Sequence, residues 1–213
     1  MKHGEKFKKE RREVARFMKR LYRQGLTTTS GGNISLKVND DIVLITPSAT
    51  DKGRMKWKDV GIMNLDGKNL TPELKPSIEH EMHLSIYRKK TQIRAIVHAH
   101  PLFATAFTAI KCKIDTNLTA EARAICGEPV FVPYALMGSQ KLASLAAESI
   151  EKADILLLEN HGILTAGNSL LQAFDKLEVL ENAARMTMIA DISGKKKPLT
   201  KSQTEELDRL FRH

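Results

Sequence analysis

Residues 93–101 read Ile-Arg-Ala-Ile-Val-His-Ala-His-Pro, an apolar segment that ends in two histidines and a proline. The first six residues are typical of a β-strand in the core of a sheet. Because side chains alternate along a strand, His98 and His100 point to the same side and can reach one metal ion. Pro101 ends the strand and leaves the pair at an edge of the sheet, where ligand sites form.

On both sides of this segment, hydrophobic periodicity and turn residues predict further strands and helices. The predicted helices cover 5–24, 76–90, a segment opened by Pro101, 139–152, 169–192 and 200–211. The predicted strands cover 34–38, 42–45, 60–65, 93–98, 130–132 and 154–159. Early hairpins followed by strand–helix alternation predict an α/β fold, with a mixed sheet covered on both faces by helices. No internal repeat or second core is visible, so residues 1–213 are expected to form one domain.

Charge and composition narrow the function classes. Hydrophobic residues make up 42% of the chain and charged residues 28%, which supports a sizeable core and excludes disorder as the main state. The formal net charge of +9 would suit nucleic acid, an anionic membrane or a small acidic substrate. Acidic and apolar positions interrupt the basic residues of the 5–24 helix, which favours a solvated face over a nucleic-acid surface.

Other features of the sequence bear on location. No apolar run approaches the ~20 residues that a membrane span needs, and no secretory signal opens the chain. Cys112 and Cys126 have no metal-ligand spacing around them and are expected to be reduced thiols. We therefore expect a cytoplasmic protein that binds neither nucleic acid nor membrane.

A second histidine strengthens the metal hypothesis. Asn160-His161-Gly162 also follows a buried strand, so three imidazoles converge if the two strands are neighbours. Three neutral nitrogens and an open position describe a catalytic Zn²⁺ site. Glu79 could add a carboxylate, although the helix dipole alone accounts for an acid at a helix start. The rival ligands His80 and His83 are three residues apart, which favours packing or surface roles for them.

Two turns offer small residues, hydroxyls and backbone N–H groups. They cover residues 30–33 and 46–50, and Ser77 lies at a predicted helix start. Together these groups could cradle a phosphate, although each turn alone is ordinary. The one-loop nucleotide fingerprints GxxxxGK and GxGxxG are absent from the sequence.

The order of these motifs resembles the class II aldolase/adducin family over roughly residues 10–190. The resemblance rests on Gly32-Asn33-Ile34-Ser35, Ile45-Thr46-Pro47-Ser48, Pro76-Ser77-Ile78-Glu79, His98-Ala99-His100-Pro101, Pro133-Tyr134 and Asn160-His161-Gly162. Within the family, the fuculose-phosphate aldolases are the most similar branch. The resemblance implies three layers, with a mixed, mostly antiparallel sheet between helices. It also implies a homotetramer with active sites at subunit interfaces.

The resemblance further assigns roles to residues of this chain. It implies one Zn²⁺ per subunit, with Mn²⁺ or Co²⁺ as alternatives, held by His98, His100 and His161. Glu79 would be the fourth ligand of the resting enzyme and the acid/base. The implied phosphate-binding residues are Gly32, Asn33, Ser48, Ala49, Ser77 and Ile78.

The implied reaction is cleavage of a ketose 1-phosphate, such as L-fuculose 1-phosphate or a deoxy-ribulose 1-phosphate, to dihydroxyacetone phosphate and an aldehyde. Zn²⁺ would stabilise the enediolate, and Glu79 would move the proton. Glutamate at this position favours an aldolase over the family's epimerases, which carry aspartate there. The alternatives are an epimerase, a dehydratase, a decarboxylase or a non-catalytic adducin-like interaction module.

The sequence departs from the family pattern at several positions. Ile78 replaces a serine of the phosphate motif, and Thr119 stands where fuculose-phosphate aldolases carry a tyrosine. No tyrosine follows Tyr134, which puts fuculose itself in doubt. Glu121 lies where dehydratases place their acid/base, and we interpret it as an acid at a helix start.

Overall fold

The computed structural model describes residues 5–211, which form seven strands and seven α-helices. The strands are β1 (Asn33–Lys37), β2 (Ile42–Ile45), β3 (Gly61–Asn64), β4 (Ala95–Ala99), β5 (Val130–Val132), β6 (Ile155–Leu158) and β7 (Gly162–Gly167). The helices are α1 (Lys8–Arg23), α2 (His80–Lys89), α3 (Leu102–Ile110), α4 (Ala120–Cys126), α5 (Gln140–Ser149), α6 (Leu170–Ser193) and α7 (Lys201–Phe211).

The strands form one sheet in the order β3-β2-β1-β4-β7-β6-β5. Every neighbouring pair is antiparallel except β5 and β6, which are parallel. The predicted α/β fold with a mixed, mostly antiparallel sheet between helices is confirmed. It places β4, the strand that carries His98, at the centre of the sheet.

Alternation along β4 gives each face of the sheet its own core. Val97 packs with apolar side chains of α1, α3 and α6 on one face. Ile96 packs with those of α2 and α5 on the other face. Since alternate residues share a face, His98 lies on the face that α2 covers. The helix that follows Glu79 therefore packs on the side of the sheet where His98 projects.

Strand β7 was not predicted, and it changes the interpretation of the histidines. It lies between β4 and β6, so the two strands that precede the histidine motifs are not neighbours. The condition given for convergence, that these two strands are neighbours, is therefore not met, and β7 brings the histidines together instead. Residues 162–167 begin and end with glycine and follow β6 after a three-residue turn, without the dipeptide of a tight hairpin.

Helix α2 begins later than predicted, at His80 rather than at Pro76. Pro76 forms an antiparallel bridge with Pro47, and the Ile78 N–H donates to Ser48 Oγ at 3.0 Å. These contacts hold Pro76 and Ile78 beside the loop after β2, and Ile78 and Glu79 form a turn before the helix. Glu79 is consequently the residue that precedes the helix.

Helix α4 was not among the predicted helices, and the boundaries of the remaining elements agree closely with the sequence pattern. Ser139 and Ser169 cap α5 and α6 by accepting from the backbone N–H groups of Leu142 and Gln172. Gly194 ends α6 in a left-handed conformation. Within residues 5–211, no helix has the length and apolar character needed to cross a membrane.

Candidate active site

Three predicted metal ligands meet where the central strand β4 ends. His98 is the penultimate residue of β4, His100 follows that strand, and His161 lies in the turn between β6 and β7. Because β7 pairs with β4, with Ala99 opposite Ile163, this turn lies beside the end of β4. One ligand nitrogen of each histidine lies within 4.8 Å of those of the other two.

Two glycines allow neighbouring backbone segments to approach the end of β4 this closely. A Cβ on Gly162 would lie 2.5 Å from Cδ2 of His100 and 2.7 Å from the carbonyl oxygen of Ala99. A Cβ on Gly32 would lie 2.7 Å from the carbonyl oxygen of His98, and Gly32 also has a φ of +65°. Any larger residue at either position would push against the strand end that carries the histidines.

Glu79 completes the cluster. Its Oε2 lies 3.3 Å from Nε2 of His98, and its Oε1 lies 3.2 Å from Nε2 of His161. The Asn33 side chain donates to Oε2 at 2.9 Å, and Glu79 is only 5% exposed. A helix-dipole role alone would leave this carboxylate near solvent, so its burial among imidazoles favours a chemical role.

The charges of His100, His161 and Glu79 suit metal binding, whereas the contact with Glu79 favours the protonated form of His98. Burial lowers the pKa of His100 to about 3 and that of His161 to about 4, so both imidazoles are neutral near pH 7. Burial acts to raise the pKa of Glu79, but His98, His161 and Asn33 outweigh it and hold that pKa well below its usual range. Burial acts to lower the pKa of His98, but Glu79 and the Ile163 carbonyl outweigh it and raise that pKa. A metal ion requires neutral imidazoles and an ionised carboxylate.

Several polar atoms of the cluster fit a metal ion. Among the described residues, His98 Nε2 and Glu79 Oε1 are buried and make no well-aligned hydrogen bond, although each lies 3.2–3.3 Å from a polar atom of the cluster. His98 Nδ1 lies 2.9 Å from the carbonyl oxygen of Ile163, the arrangement that orients metal-ligating histidines. Three imidazoles and one carboxylate are donors that Zn²⁺ accepts, and Mn²⁺ and Co²⁺ accept them as well.

A cavity of about 650 Å³ opens beside the cluster. All six residues of the predicted phosphate site line it, together with Glu79, His100 and His161. Ser48 Oγ accepts from the Ile78 N–H at 3.0 Å, and Ser77 Oγ accepts from the Glu79 N–H at 3.3 Å. Both hydroxyl hydrogens therefore remain available to an anion in the cavity. Ala49 adopts a left-handed φ of 50°, a strained conformation of the kind found at ligand sites.

Some lining residues were not predicted as site residues, namely Lys52, Lys75, Met137 and Asn160. Asn160 directly precedes His161 and has a left-handed φ of 53° in the turn between β6 and β7. No sequence signal marks Lys52, because lysine in a turn is usually exposed.

The alternative candidates His80, His83 and Glu121 are not part of the histidine cluster. His83 is fully buried, and its Nδ1 lies 2.7 Å from Ser35 Oγ, which fits the predicted packing role. Nδ1 of His80 lies 2.8 Å from the carbonyl oxygen of Ser77. Glu121 is exposed in the first turn of α4, after the capping residue Thr119, which fits its interpretation as an acid at a helix start.

Comparison with known proteins agrees with this geometry. The family model described as Class II Aldolase and Adducin N-terminal domain matches residues 12–188. An L-fuculose phosphate aldolase of Methanocaldococcus jannaschii is 36% identical over 180 residues, which cover 84% of this chain and 96% of that protein. A 5-deoxy-D-ribulose 1-phosphate aldolase of Bacillus thuringiensis serovar kurstaki is 34% identical over 205 residues, which cover 95% of each.

Two further similarities extend the comparison. A 3-oxo-tetronate 4-phosphate decarboxylase of Haemophilus influenzae is 31% identical over 194 residues, which cover 88% of this chain and 90% of that protein. A solved structure named L-fuculose 1-phosphate aldolase matches with a TM-score of 0.88 and 30% identity, over 95% of this chain and 96% of the other. The fold, the motif order and these matches agree, and the chain belongs to the class II aldolase and adducin family.

Proposed function

We propose that the protein is a divalent-metal-dependent aldolase that cleaves a ketose 1-phosphate to dihydroxyacetone phosphate and a short aldehyde. The observation that carries this proposal is the position of Glu79, buried against His98 and His161 at the wall of a cavity lined by hydroxyl groups. The names of the aldolase relatives support the same reaction class.

The metal would be held by His98, His100 and His161, with Glu79 as the fourth ligand of the resting enzyme. When bound, Zn²⁺ would supply Lewis-acid stabilisation for the negative charge that develops on the carbonyl oxygen of the substrate. Mn²⁺ or Co²⁺ could supply the same chemistry. The close approach of Glu79 to Nε2 of His98 and to Nε2 of His161 supports this assignment.

Glu79 would move the proton at carbon. As the C3–C4 bond breaks, its electron pair remains on C3, and Glu79 delivers a proton there to form dihydroxyacetone phosphate. The C4 hydroxyl loses its proton and becomes the aldehyde. The Asn33 amide, which donates to Oε2, would fix the carboxylate and leave Oε1 directed at the substrate. In the synthetic direction the same oxygen would remove the C3 proton.

The phosphoryl group would bind at the other end of the cavity. Ser48 and Ser77, with Gly32, Asn33, Ala49 and Ile78, line the cavity and would offer it hydroxyl and backbone groups. Ile78 has no hydroxyl to offer, and its N–H is engaged by Ser48 Oγ. Ser48 would therefore connect the Ile78 backbone to the phosphate rather than bind it alone.

We also propose a homotetramer located in the cytoplasm. Apolar side chains near the cavity are exposed in the single chain, among them Ile78, Tyr134, Leu136 and Met137. An exposed apolar group of this kind marks a contact surface. A neighbouring subunit could then supply the groups that bind the aldehyde end of the substrate.

A panel of sugar phosphates tests the reaction. The metal-loaded protein would be assayed for dihydroxyacetone phosphate release from the 1-phosphates of fuculose, rhamnulose, 5-deoxyribulose and methylthioribulose. Ribulose 5-phosphate serves as the epimerase arm and 3-oxo-tetronate 4-phosphate as the decarboxylase arm. We expect release from at least one ketose 1-phosphate. Release from none, with carbon dioxide from the last substrate, would replace the aldolase by the decarboxylase that one relative represents.

A further inference from the structure

Lys52 is a buried cation on the wall of the cavity. It begins a 3-10 turn over Lys52–Arg54, after the loop that follows β2, and it is only 1% exposed. Its Nζ donates to the Pro47 carbonyl at 2.6 Å, so the ammonium contacts the residue that directly precedes Ser48. Helix α1 covers the turn, since a Cβ on Gly53 would lie 2.7 Å from the ring of Tyr22.

No acidic side chain within residues 5–211 pairs with this ammonium. Two other lysines are buried among the described residues. Lys37 also has no acidic partner there, but it donates to the Thr91 carbonyl and does not line the cavity. Lys176, by contrast, is paired with an acid. Its Nζ donates to Asp154 Oδ2 at 2.7 Å and to the Ala166 carbonyl at 2.9 Å. Burial alone lowers the pKa of Lys52 to about 8, without an opposing charge. A buried cation without a counter-ion is costly, and an anion bound in the cavity beside Lys52 would offset that cost.

We propose that Lys52 is the cation that neutralises the phosphoryl group of the substrate and so selects phosphorylated sugars over free ones. This inference deepens the proposed function and rests on it. The phosphate would lie between Lys52 Nζ and the hydroxyls of Ser48 and Ser77, all on the wall of the same cavity. A charge-assisted hydrogen bond from a desolvated ammonium is stronger than one from a neutral hydroxyl.

Lys75 is the other lysine on the cavity wall, and it does not substitute for Lys52. Its side chain is exposed, so water and salt screen its charge. Its backbone carbonyl instead accepts from the Ser48 N–H at 3.1 Å and helps to hold the loop. Lys52 is the one desolvated cation on the wall among the described residues.

The test measures binding of inorganic phosphate to the full chain by calorimetry near neutral pH. Lys52→Met and Lys52→Gln shorten the side chain by one atom and remove its charge. Arg54→Met is the matched control, because it removes one positive charge from the same turn at a side chain that is 90% exposed. Far-ultraviolet circular dichroism confirms that each variant is folded, and either folded Lys52 variant suffices.

We expect phosphate to bind at least about tenfold more weakly to the Lys52 variants, and to bind the Arg54→Met variant as it binds the wild type. Binding within about twofold of the wild type in a folded Lys52 variant would overturn the inference, as would absence of phosphate binding to the wild type. The readout does not depend on turnover. If phosphate binding depends on Lys52 but no ketose 1-phosphate is cleaved, the proposed function fails and the phosphate assignment stands.

Discussion

Oε1 of Glu79 lies 3.2 Å from Nε2 of His161, although the two residues come from different layers of the fold. Glu79 precedes the helix α2, and His161 lies in the turn between two strands of the sheet. Strand β7 brings that turn beside β4, and the bridge between Pro47 and Pro76 positions the residue before α2. A carboxylate and three imidazoles therefore share one site through contacts that the backbone fixes.

Replacing His98 should remove the metal. Within the cluster of His98, His100 and His161, the variant His98→Ala removes the imidazole that is fully buried and oriented by the Ile163 carbonyl. We expect bound divalent metal, measured by elemental analysis, to fall from one per chain to a small fraction, and aldol cleavage to be abolished. Full metal content with retained turnover would contradict the assignment of His98 as a ligand.

Glu79→Gln should separate metal binding from proton transfer. The amide keeps the shape and can still contact Asn33, but it cannot carry the proton. We expect kcat to fall by about 10²–10⁴-fold while most of the bound metal is retained. Glu81→Gln is the control, because that acid lies in the first turn of the same helix and pairs with Arg88. Equal rates for the two variants would exclude Glu79 as the acid/base.

Gly162→Ala should disturb the site by sterics alone. The new Cβ would lie 2.5 Å from His100 Cδ2, so the imidazole or the turn must shift. We expect a loss of about 1–3 kcal/mol in the free energy of unfolding and a weaker affinity for metal. Gly61→Ala is the control, because its Cβ would meet nothing closer than 3.5 Å. Chemical denaturation and metal titration of both variants test this; equal effects in the two would argue against the close approach.

Glu181 should stabilise the helix that follows the histidine pair. This buried carboxylate on α6 accepts from the backbone N–H groups of Phe103 and Ala104 at 3.2 and 2.8 Å, at the start of α3. Glu181→Ala leaves both donors buried and unpaired, which we expect to cost about 1–3 kcal/mol in the free energy of unfolding. An unchanged midpoint in urea would show that water replaces the carboxylate.

The buried ammonium of Lys52 should make stability depend on pH. Its pKa is lowered from 10.5 to about 8 in the folded protein, so below pH 8 both states carry the proton and the burial cost is fully present. Between these values the unfolded chain holds a proton that the folded chain has lost, so stability increases with pH. Relative to Lys52→Met, the wild type should gain on the order of 2 kcal/mol between about pH 7 and pH 9.5. A constant difference would show that the ammonium is not desolvated.

The sequence pattern predicted the site better than it predicted the strand that builds it. Alternation along the strand put His98 and His100 on one side, and the structure brings their ligand nitrogens within 4.8 Å of each other and of one nitrogen of His161. Strand β7 escaped prediction because a short apolar run between glycines carries no periodic signal of its own. The burial of Lys52 could not be predicted from the sequence either, because it depends on the packing of α1 over a turn that is distant in sequence.

Proton exchange into dihydroxyacetone phosphate tests the central claim most directly, because it needs no knowledge of the aldehyde. In deuterium oxide, the metal-loaded wild type should replace a C3 hydrogen of dihydroxyacetone phosphate with deuterium. Proton NMR measures the loss of that hydrogen's signal. Glu79→Gln should show only the background exchange seen without enzyme, and Glu81→Gln should exchange at the wild-type rate. No exchange by the wild type, or equal exchange by the Glu79→Gln variant, would contradict a carboxylate at position 79 that moves the proton.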